Sequence, residues 1–264
     1  MNRDKKIIFF DIDGTIFEKG KGTPASTTEA LRLLKENGHL PVMCTGRPIA
    51  SLEKVHWEMG FPCIIAGTGA YIDYEGKVLR NLLLDPELVV QTVAKLEAIG
   101  CKVMLEGPEY LSYRYGSDTP EYFRSLLRLH RDYPDRVKDM DPARDRICKI
   151  TPWITDRDAY TALRPELEKE FSLAEYERAP FVEMTGKGIT KADGIRALIE
   201  YLGIPRANTY AFGDGPNDLE MLQYVQYGTA MGNSEESVLK VAKYRTEGMW
   251  EDGVYLALKR YGLI

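Results

Sequence analysis

Two aspartates lie two residues apart at the end of a short apolar run. Asp11 and Asp13 directly follow Ile7 to Phe10, whose composition predicts a compact buried strand. Because side chains alternate along an extended chain, carboxylates at this spacing project to the same side. In open sheets with crossover helices, ligands bind beyond the carboxyl ends of the strands. The pair predicts one shared acidic site, and turn chemistry is the alternative that Asp-x-Asp-Gly leaves open.

A second acidic loop follows the apolar run from Thr209 to Phe212. It reads Gly213-Asp214-Gly215-Pro216-Asn217-Asp218, in which glycine leaves the backbone uncrowded and proline favours helix entry. If both loops meet at one sheet edge, at least three carboxylates converge. Two such charges about 4 Å apart repel by roughly 4 kcal/mol at an effective dielectric near 20. A divalent cation would offset this repulsion, and oxygen ligands beside a phosphate substrate indicate Mg²⁺.

Donors for an anion are present in two further segments. Thr45-Gly46-Arg47 follows a predicted strand and precedes a predicted helix at Pro48, so it offers a hydroxyl and backbone N–H groups where anions bind favourably. Lys191 lies in the first turn of a helix predicted to open at Thr190, and could supply a compact positive charge. A surface lysine is the alternative. Lys191 lies in the sequence between the run Phe181 to Met184 and the Asp214 loop, which favours a role at the predicted acidic site.

The elements that must position these residues alternate in the first eighty residues between short apolar runs and helical segments. This alternation is typical of a parallel sheet with crossover helices. Ser26 and Glu29 form a capping-box pattern that predicts a helix ending near Gly38. Pro48 and Gly60 bound another predicted helix. The predicted strands are Ile7 to Phe10, Leu40 to Cys44, Cys63 to Ala66 and, after a helix from Thr190 to Leu202, Thr209 to Phe212.

The middle of the chain has a different pattern. Residues 70 to 80 predict a hairpin around Glu75-Gly76, and strand-like runs then alternate with helical stretches until about residue 184; these runs are Lys102 to Leu105, Leu111 to Tyr115 and Ile147 to Thr151. The sequence therefore predicts an α/β fold. Its doubly wound, mostly parallel Rossmann-like core is formed by residues 1–81 and 186–264, and an inserted α+β domain by residues 82–185.

Composition limits the classes of partner. The 264 residues include 44% hydrophobic side chains, enough to fill a core, and 35 basic against 40 acidic side chains give a net charge of -5. No general basic field is available for nucleic acid or an anionic membrane. The cysteines are widely spaced and are expected to be buried thiols, as in a reducing cytosol. Since neither a signal-peptide core nor a membrane span is found, we expect a soluble cytoplasmic protein, either a monomer or a homodimer.

Four segments, taken in order, resemble the motifs of the haloacid dehalogenase-like phosphatases. They are Asp11-Ile12-Asp13-Gly14-Thr15, Thr45-Gly46-Arg47, Lys191 within Gly188-Ile189-Thr190-Lys191-Ala192-Asp193-Gly194-Ile195, and Gly213-Asp214-Gly215-Pro216-Asn217-Asp218. The long insertion resembles the large type IIB cap of the Cof-type subgroup, which includes sugar phosphatases. One departure stands out, because that subgroup usually carries Asn-Gly-Ala where this chain has Thr68-Gly69-Ala70.

The resemblance implies a role for each site residue. Asp11 would attack phosphorus and form an aspartyl-phosphate, and Asp13 would act as general acid and then general base. Mg²⁺ would be held by Asp11, the backbone carbonyl of Asp13 and Asp214. The residues implied to bind the phosphoryl group are Ile12, Thr45, Gly46, Lys191 and Asn217. Asp218 would orient Lys191 or metal-bound water, and Arg47 would either reach substrate or brace its loop.

The inserted domain would act as a lid over a small phosphorylated metabolite. Glu106, Tyr113, Arg114 and Lys149 are conceivable readers of the leaving group, although an ordinary solvated strand face is the commoner role for such residues. We expect a Mg²⁺-dependent phosphatase acting on sugar phosphates or similar phosphomonoesters. A phosphotransferase or phosphomutase is the first alternative, and a catalytically silent binding module is the second. An ion-pumping ATPase does not fit, because no membrane span is found and Asp13 carries a carboxylate.

Overall fold

The computed structural model describes residues 5–127, 133–177 and 179–264, which form two β-sheets with helices packed on them. The described strands are β1 (Ile7–Phe10), β2 (Leu40–Cys44), β3 (Cys63–Ala66), β4 (Tyr71–Tyr74), β5 (Lys77–Asn81), β6 (Lys102–Glu106), β7 (Leu111–Tyr113), β8 (Val137–Asp139), β9 (Lys149–Trp153), β10 (Phe171–Glu175), β11 (Val182–Gly186), β12 (Thr209–Gly213), β13 (Tyr227–Ala230) and β14 (Tyr244–Arg245). The described α-helices are α1 (Ala25–Glu36), α2 (Lys54–Glu58), α3 (Pro86–Ala98), α4 (Glu121–Leu127), α5 (Arg157–Glu170), α6 (Lys191–Leu202), α7 (Leu219–Tyr224), α8 (Glu236–Val241) and α9 (Gly253–Arg260).

The larger sheet has the strand order β14-β13-β12-β1-β2-β3-β4-β5. Its pairs are parallel from β14 to β3, and β4 and β5 are added antiparallel at the edge. Because β1 lies between β2 and β12, the loops that follow these three strands meet at one edge. The predicted α/β fold, with a doubly wound and mostly parallel core sheet, is confirmed.

Alternating side chains of β1 show why helices cover both faces of this sheet. Ile8 and Phe10 pack into one core with residues of α1 and α9, whereas Ile7 and Phe9 pack into a second core with residues of α6 and α7. All four side chains are fully buried. A strand buried on both faces reads as a continuous apolar run, which is how it could be recognised from the sequence.

The smaller sheet has the order β10-β11-β9-β6-β7-β8 and is antiparallel except for the pair β7 and β8. Helices α3 and α5 bury Val89, Leu96, Tyr160 and Leu167 in its core. The chain enters this sheet after β5 and returns to the larger one through β11 and α6. The division of the chain at residues 82 and 185 stays a prediction.

Several local predictions need correction. The expected capping box at Ser26 and Glu29 is wrong: α1 begins at Ala25 after Pro24, with no side-chain cap, so Ser26 lies inside the helix. Proline fixes φ and starts the helix earlier. The helix expected from Pro48 to Gly60 is interrupted. A short 3₁₀ turn spans Ile49–Ser51, and α2 starts only after Glu53, whose backbone N–H donates to His56 Nδ1 at 2.9 Å.

Other boundaries differ by a few residues. β7 ends at Tyr113, not Tyr115, and β9 spans Lys149–Trp153, not residues 147 to 151. The hairpin at Glu75-Gly76 is confirmed, and both residues have positive φ, as a tight two-residue turn requires. The cysteines Cys44, Cys63, Cys101 and Cys148 are free and buried, as expected. Within the three described ranges, no helix is long and apolar enough to cross a bilayer.

Candidate active site

Asp11 and Asp214 lie side by side because their strands are neighbours. The backbone N–H of Asp11 donates to the carbonyl of Phe212 at 3.0 Å, which extends the β1 and β12 pairing into the loops. Thr15 Oγ1 donates to Asp214 Oδ1 at 2.9 Å. Gly14 has φ +88°, and a Cβ at that position would clash with the Asp214 carboxylate. A glycine is therefore required where the two acidic loops touch.

Lys191 lies beneath the acidic loops and connects them. Its Nζ is 2.6 Å from Asp11 Oδ1 and 2.6 Å from Asp218 Oδ1, and the side chain is fully buried. Helix α6 starts at Lys191, and the preceding Thr190 caps it: its side-chain hydroxyl accepts from the N–H of Asp193 at 3.2 Å. The alternative of a surface lysine is therefore wrong.

Asp218 is positioned as a brace for this region. Its Oδ1 accepts from Lys191, and its Oδ2 accepts from the backbone N–H groups of Asp214 and Gly215 at 3.0 Å each. The side chain is fully buried. Both oxygens are thus engaged in holding other site groups, which fits an orienting role.

The carboxylates of Asp11, Asp214 and Asp218 form a compact group whose nearest oxygens all lie within 4.8 Å of one another. Burial raises the pKa of Asp11, the Asp218 carboxylate raises it further, and Lys191 opposes both effects. Burial and the Asp218 charge also raise the pKa of Asp214 to about 7. One lysine does not balance the three charges. A hard divalent cation with oxygen ligands fits this donor set, since it would neutralise the carboxylates that remain uncompensated.

Asp13 stands apart from that group. Its carboxylate accepts two hydrogen bonds from the Arg47 guanidinium, from Nε at 2.6 Å and from NH2 at 2.7 Å. Burial works to raise the pKa of the Asp13 carboxyl, but the Arg47 charge and hydrogen bonds, with smaller effects of His56 and Lys191, together lower it. The Asp13 side chain is therefore engaged with Arg47, and the metal contact expected of Asp13 is with its backbone carbonyl only.

The loop Thr45-Gly46-Arg47 is held by the short 3₁₀ turn Gly67–Gly69, which follows β3. The carbonyl of Thr45 accepts from Thr68 N–H at 3.1 Å, and the carbonyl of Arg47 accepts from Gly67 N–H at 2.8 Å. Thr45 is buried, and its Oγ1 accepts from the N–H of Arg47 at 3.1 Å. Thr68 has φ +55°, which is a strained backbone conformation for a β-branched residue. Its hydroxyl is buried and has no partner among the described residues.

The surroundings of Ile12 and Asn217 show which group of each residue could bind phosphate. Ile12 buries its side chain completely in the core of the larger sheet, so its backbone N–H is the group that could meet an anion. The Asn217 amide donates from Nδ2 to Glu183 Oε2 at 2.9 Å. Glu183 belongs to β11 of the smaller sheet, so the two sheets meet at this contact.

A cavity of about 380 Å³ lies between the sheets above the acidic group. The core contributes Asp11, Asp13, Thr45, Gly46, Arg47, Asp214 and Asn217 to its lining. The smaller sheet and its connections contribute Glu106, Lys149, Glu183, Tyr122, Tyr176 and Phe181. Phe181 stacks on Tyr122 with ring centroids 4.6 Å apart, which forms an aromatic wall.

Of the four conceivable leaving-group readers, Glu106 and Lys149 line the cavity, and both are buried. Tyr113 is instead buried against Phe123, and Arg114 is paired with Glu97 away from the cavity. The sequence reasoning missed Glu183. A single charged residue inside the apolar run Phe181 to Met184 was the signal that could have identified it.

A family model described as haloacid dehalogenase-like hydrolase matches residues 8–258 of the chain. The chain belongs to this family. "Putative phosphatase YkrA" of Bacillus subtilis (strain 168) is 31% identical over 263 residues, which cover 99% of each protein. The 5-amino-6-(5-phospho-D-ribitylamino)uracil phosphatase YitU of the same strain is 28% identical and covers 97% of each.

Solved structures agree with this assignment. One, reported as a HAD subclass IIB sugar phosphatase, superposes with a TM-score of 0.84 at 28% identity and covers 98% of this chain and 100% of its own. Membership of the Cof-type haloacid dehalogenase-like hydrolases is thereby confirmed. The predicted enzyme class, a hydrolase of phosphoric monoesters, is confirmed as well.

Proposed function

We propose that this haloacid dehalogenase-like phosphatase is Mg²⁺-dependent and hydrolyses small phosphomonoesters through an aspartyl-phosphate on Asp11. The observation that carries the proposal is the convergence of Asp11, Lys191 and Asp214 at the base of one cavity. Residues 1–81 and 186–264 would be the catalytic core, and residues 82–185 the cap that covers it.

Asp11 is the nucleophile in this proposal. Lys191 engages its Oδ1, so the other carboxylate oxygen, Oδ2, remains to attack phosphorus. The lysine opposes the rise in pKa that burial causes, and so favours the ionised form that attack requires. Mg²⁺ would be held by the carboxylates of Asp11 and Asp214 and by the backbone carbonyl of Asp13. It would neutralise charge on the phosphoryl oxygens and lower the pKa of the two carboxyl groups.

Asp13 is the general acid and base. It lies at the cavity, and its carboxylate is held in place by two hydrogen bonds from Arg47. In the first step Asp13 gives a proton to the leaving alcohol, and in the second it takes one from the water that attacks the aspartyl-phosphate. Arg47 thus positions Asp13, in addition to bracing its own loop.

The phosphoryl oxygens would be bound by the hydroxyl of Thr45, the backbone N–H groups of Ile12 and Gly46, the amide of Asn217 and the ammonium of Lys191. The leaving group would occupy the space below the aromatic wall. Its volume suits a small metabolite, and relatives named as sugar or ribitylaminouracil phosphatases support this class of substrate.

Phosphate release from a panel of phosphorylated metabolites tests the proposal. We expect release in Mg²⁺, loss of release with a chelator, and restoration by excess Mg²⁺. Asp214→Asn should lose both activity and the increase in melting temperature that Mg²⁺ gives the full chain, whereas the exposed control Asp158→Asn should keep both. Undiminished release in chelator would contradict the dependence on a cation.

A further inference from the structure

Glu183 connects the inserted sheet to the proposed phosphoryl site. Its side chain is buried. Oε1 accepts from Lys149 Nζ at 2.7 Å, and Oε2 accepts from the Asn217 amide and from the Tyr176 hydroxyl, both at 2.9 Å. Burial works to raise the pKa of Glu183, but Lys149 and these hydrogen bonds prevail and lower it, so the group is an anion.

Lys149 is committed to the protein and is not free to read a leaving group. Its three N–H donors are used by the carbonyl of Gly46 at 2.9 Å, by Glu183 and by Glu106 at 3.2 Å. The side chain is 3% exposed. The adjacent Lys149 charge offsets part of the negative charge that Glu183 brings near the proposed anion site.

Both core partners of this ion pair belong to loops that are proposed to bind phosphate. Gly46 lies in the loop after β2, and Asn217 lies in the loop after β12. These loops are tightly packed: a Cβ at Gly46 would lie 2.6 Å from Asn217 Nδ2 and 2.9 Å from Glu183 Oε2. A side-chain amide carries two hydrogens on nitrogen, and Glu183 takes one of them. The second hydrogen has no acceptor in the part of the chain that the structure describes, and can meet an anion.

We propose that Glu183 is a positioning residue for phosphoryl binding, which holds the Asn217 amide so that its second hydrogen meets a phosphoryl oxygen. The inserted sheet then completes the phosphate site of the core, in addition to covering the leaving group. This inference rests on the proposed function, because the phosphate contact of Asn217 is part of it. If the Glu183 contact only held the two sheets together, its effect on phosphate affinity would not depend on Asn217. The two roles therefore predict different phosphate affinities for a double variant.

A double-mutant cycle on the full chain with Mg²⁺ measures these affinities. The variants are Glu183→Ala, Asn217→Ala and the double variant, and the probe is inorganic phosphate, as an inhibitor of p-nitrophenyl phosphate hydrolysis and as a ligand in calorimetry. We expect Asn217→Ala to weaken phosphate binding about tenfold and Glu183→Ala to weaken it several-fold. The double variant should equal Asn217→Ala within about twofold, because residues that act through one another are not additive.

Independent effects that multiply in the double variant, or phosphate affinity unchanged by Glu183→Ala, would overturn the inference. Glu109→Ala, an exposed change outside the cavity, is the matched control and should leave phosphate affinity unchanged. If Glu183→Ala does not fold, Glu183→Met keeps most of the side-chain volume and removes both acceptor oxygens, so the cycle is interpreted in the same way.

Failure of the proposed function would be a separate result. Absence of phosphate release by the wild-type chain contradicts the phosphatase proposal. Calorimetry can still measure the phosphate affinity of the wild type and of each variant, so the inference about Glu183 is tested even then. An Asn217→Ala variant that binds phosphate as tightly as the wild type contradicts the role of Asn217, and the role of Glu183 falls with it.

Discussion

The ammonium group of Lys191 lies 2.6 Å from Oδ1 of Asp11 in a position fully closed to solvent. The same ammonium contacts Asp218, and the Asp214 carboxylate is close by. A buried cation between acidic side chains has two effects. It partners carboxylates that are buried in the folded chain, and it opposes the rise in the pKa of Asp11 that burial and the Asp218 charge cause.

Replacing Lys191 with methionine removes that cation and keeps the length of the side chain. We expect the free energy of unfolding to fall by about 3 to 5 kcal/mol, because buried carboxylates lose their partner. Turnover should fall by at least about a hundredfold. Urea unfolding and phosphate-release assays check both values. The exposed Lys259→Met is the matched control and should change neither. Activity close to wild type in Lys191→Met would contradict the assigned role.

Arg47→Gln should move the pH profile of the enzyme. The guanidinium lowers the pKa of Asp13 against the effect of burial, so its removal raises that pKa. A general base must be ionised to act, and the acid limb of kcat reports its pKa in the enzyme complex. That limb should shift to higher pH in Arg47→Gln and shift less in Arg47→Lys. An unshifted limb would mean that Arg47 does not control Asp13.

Because His56 is buried, we expect the folded protein to lose stability in mild acid. His56 is 1% exposed, and burial, followed by the Arg47 charge, lowers its pKa from 6.5 to about 4. Above the unfolded pKa both states are neutral. As the pH falls below 6.5, only the unfolded state gains the proton, so stability is lost until the pH reaches about 4.

Between about pH 7.5 and 5 this loss should be roughly 2 kcal/mol. Chemical denaturation of wild type and His56→Gln at the two pH values measures it. The acid-dependent loss should shrink clearly in His56→Gln. It should shrink less in the control His39→Gln, which changes a partly exposed histidine whose pKa burial also lowers. Equal pH dependence of wild type and His56→Gln would contradict the prediction.

Thr68 is expected to cost stability. Its φ of +55° lies in the left-handed region, which β-branched residues rarely adopt and which asparagine tolerates. Its hydroxyl is buried without a partner in the described part of the chain. Thr68→Asn should therefore raise the free energy of unfolding by about 1 kcal/mol. Thr68→Val, which removes the hydroxyl but keeps the branched Cβ in the left-handed region, should gain less than Thr68→Asn. A lower stability of Thr68→Asn would show that the loop is not strained by this residue.

The sequence was sufficient to predict which loops meet, because residues that follow neighbouring parallel strands share a sheet edge. Asp11, Thr45 and Asp214 are brought together for that reason. The position of Lys191 in the first turn of α6 could be predicted from the residues that start this helix. These placements depend on local patterns and on one rule of sheet topology.

Contacts between the two sheets could not be predicted in this way. Glu183 and Asn217 lie 34 residues apart and meet only through the packing of one sheet over the other. The Asp13 and Arg47 pair likewise depends on how two loops turn toward each other. The capping box at Ser26 failed for a different reason, because Pro24 starts the helix one residue before the serine.

A covalent phosphoryl group on Asp11 is the most direct test of the account. The full chain, carrying Asp13→Asn to slow hydrolysis of the intermediate, would be mixed with Mg²⁺ and p-nitrophenyl phosphate, whose leaving group needs no proton. The mixture would be quenched in acid within milliseconds and digested for mass spectrometry. We predict one added phosphoryl group on the peptide that contains Asp11, absent in Asp11→Asn. Phosphate release by the wild type with no phosphorylated peptide, or with the group on another residue, would contradict the account.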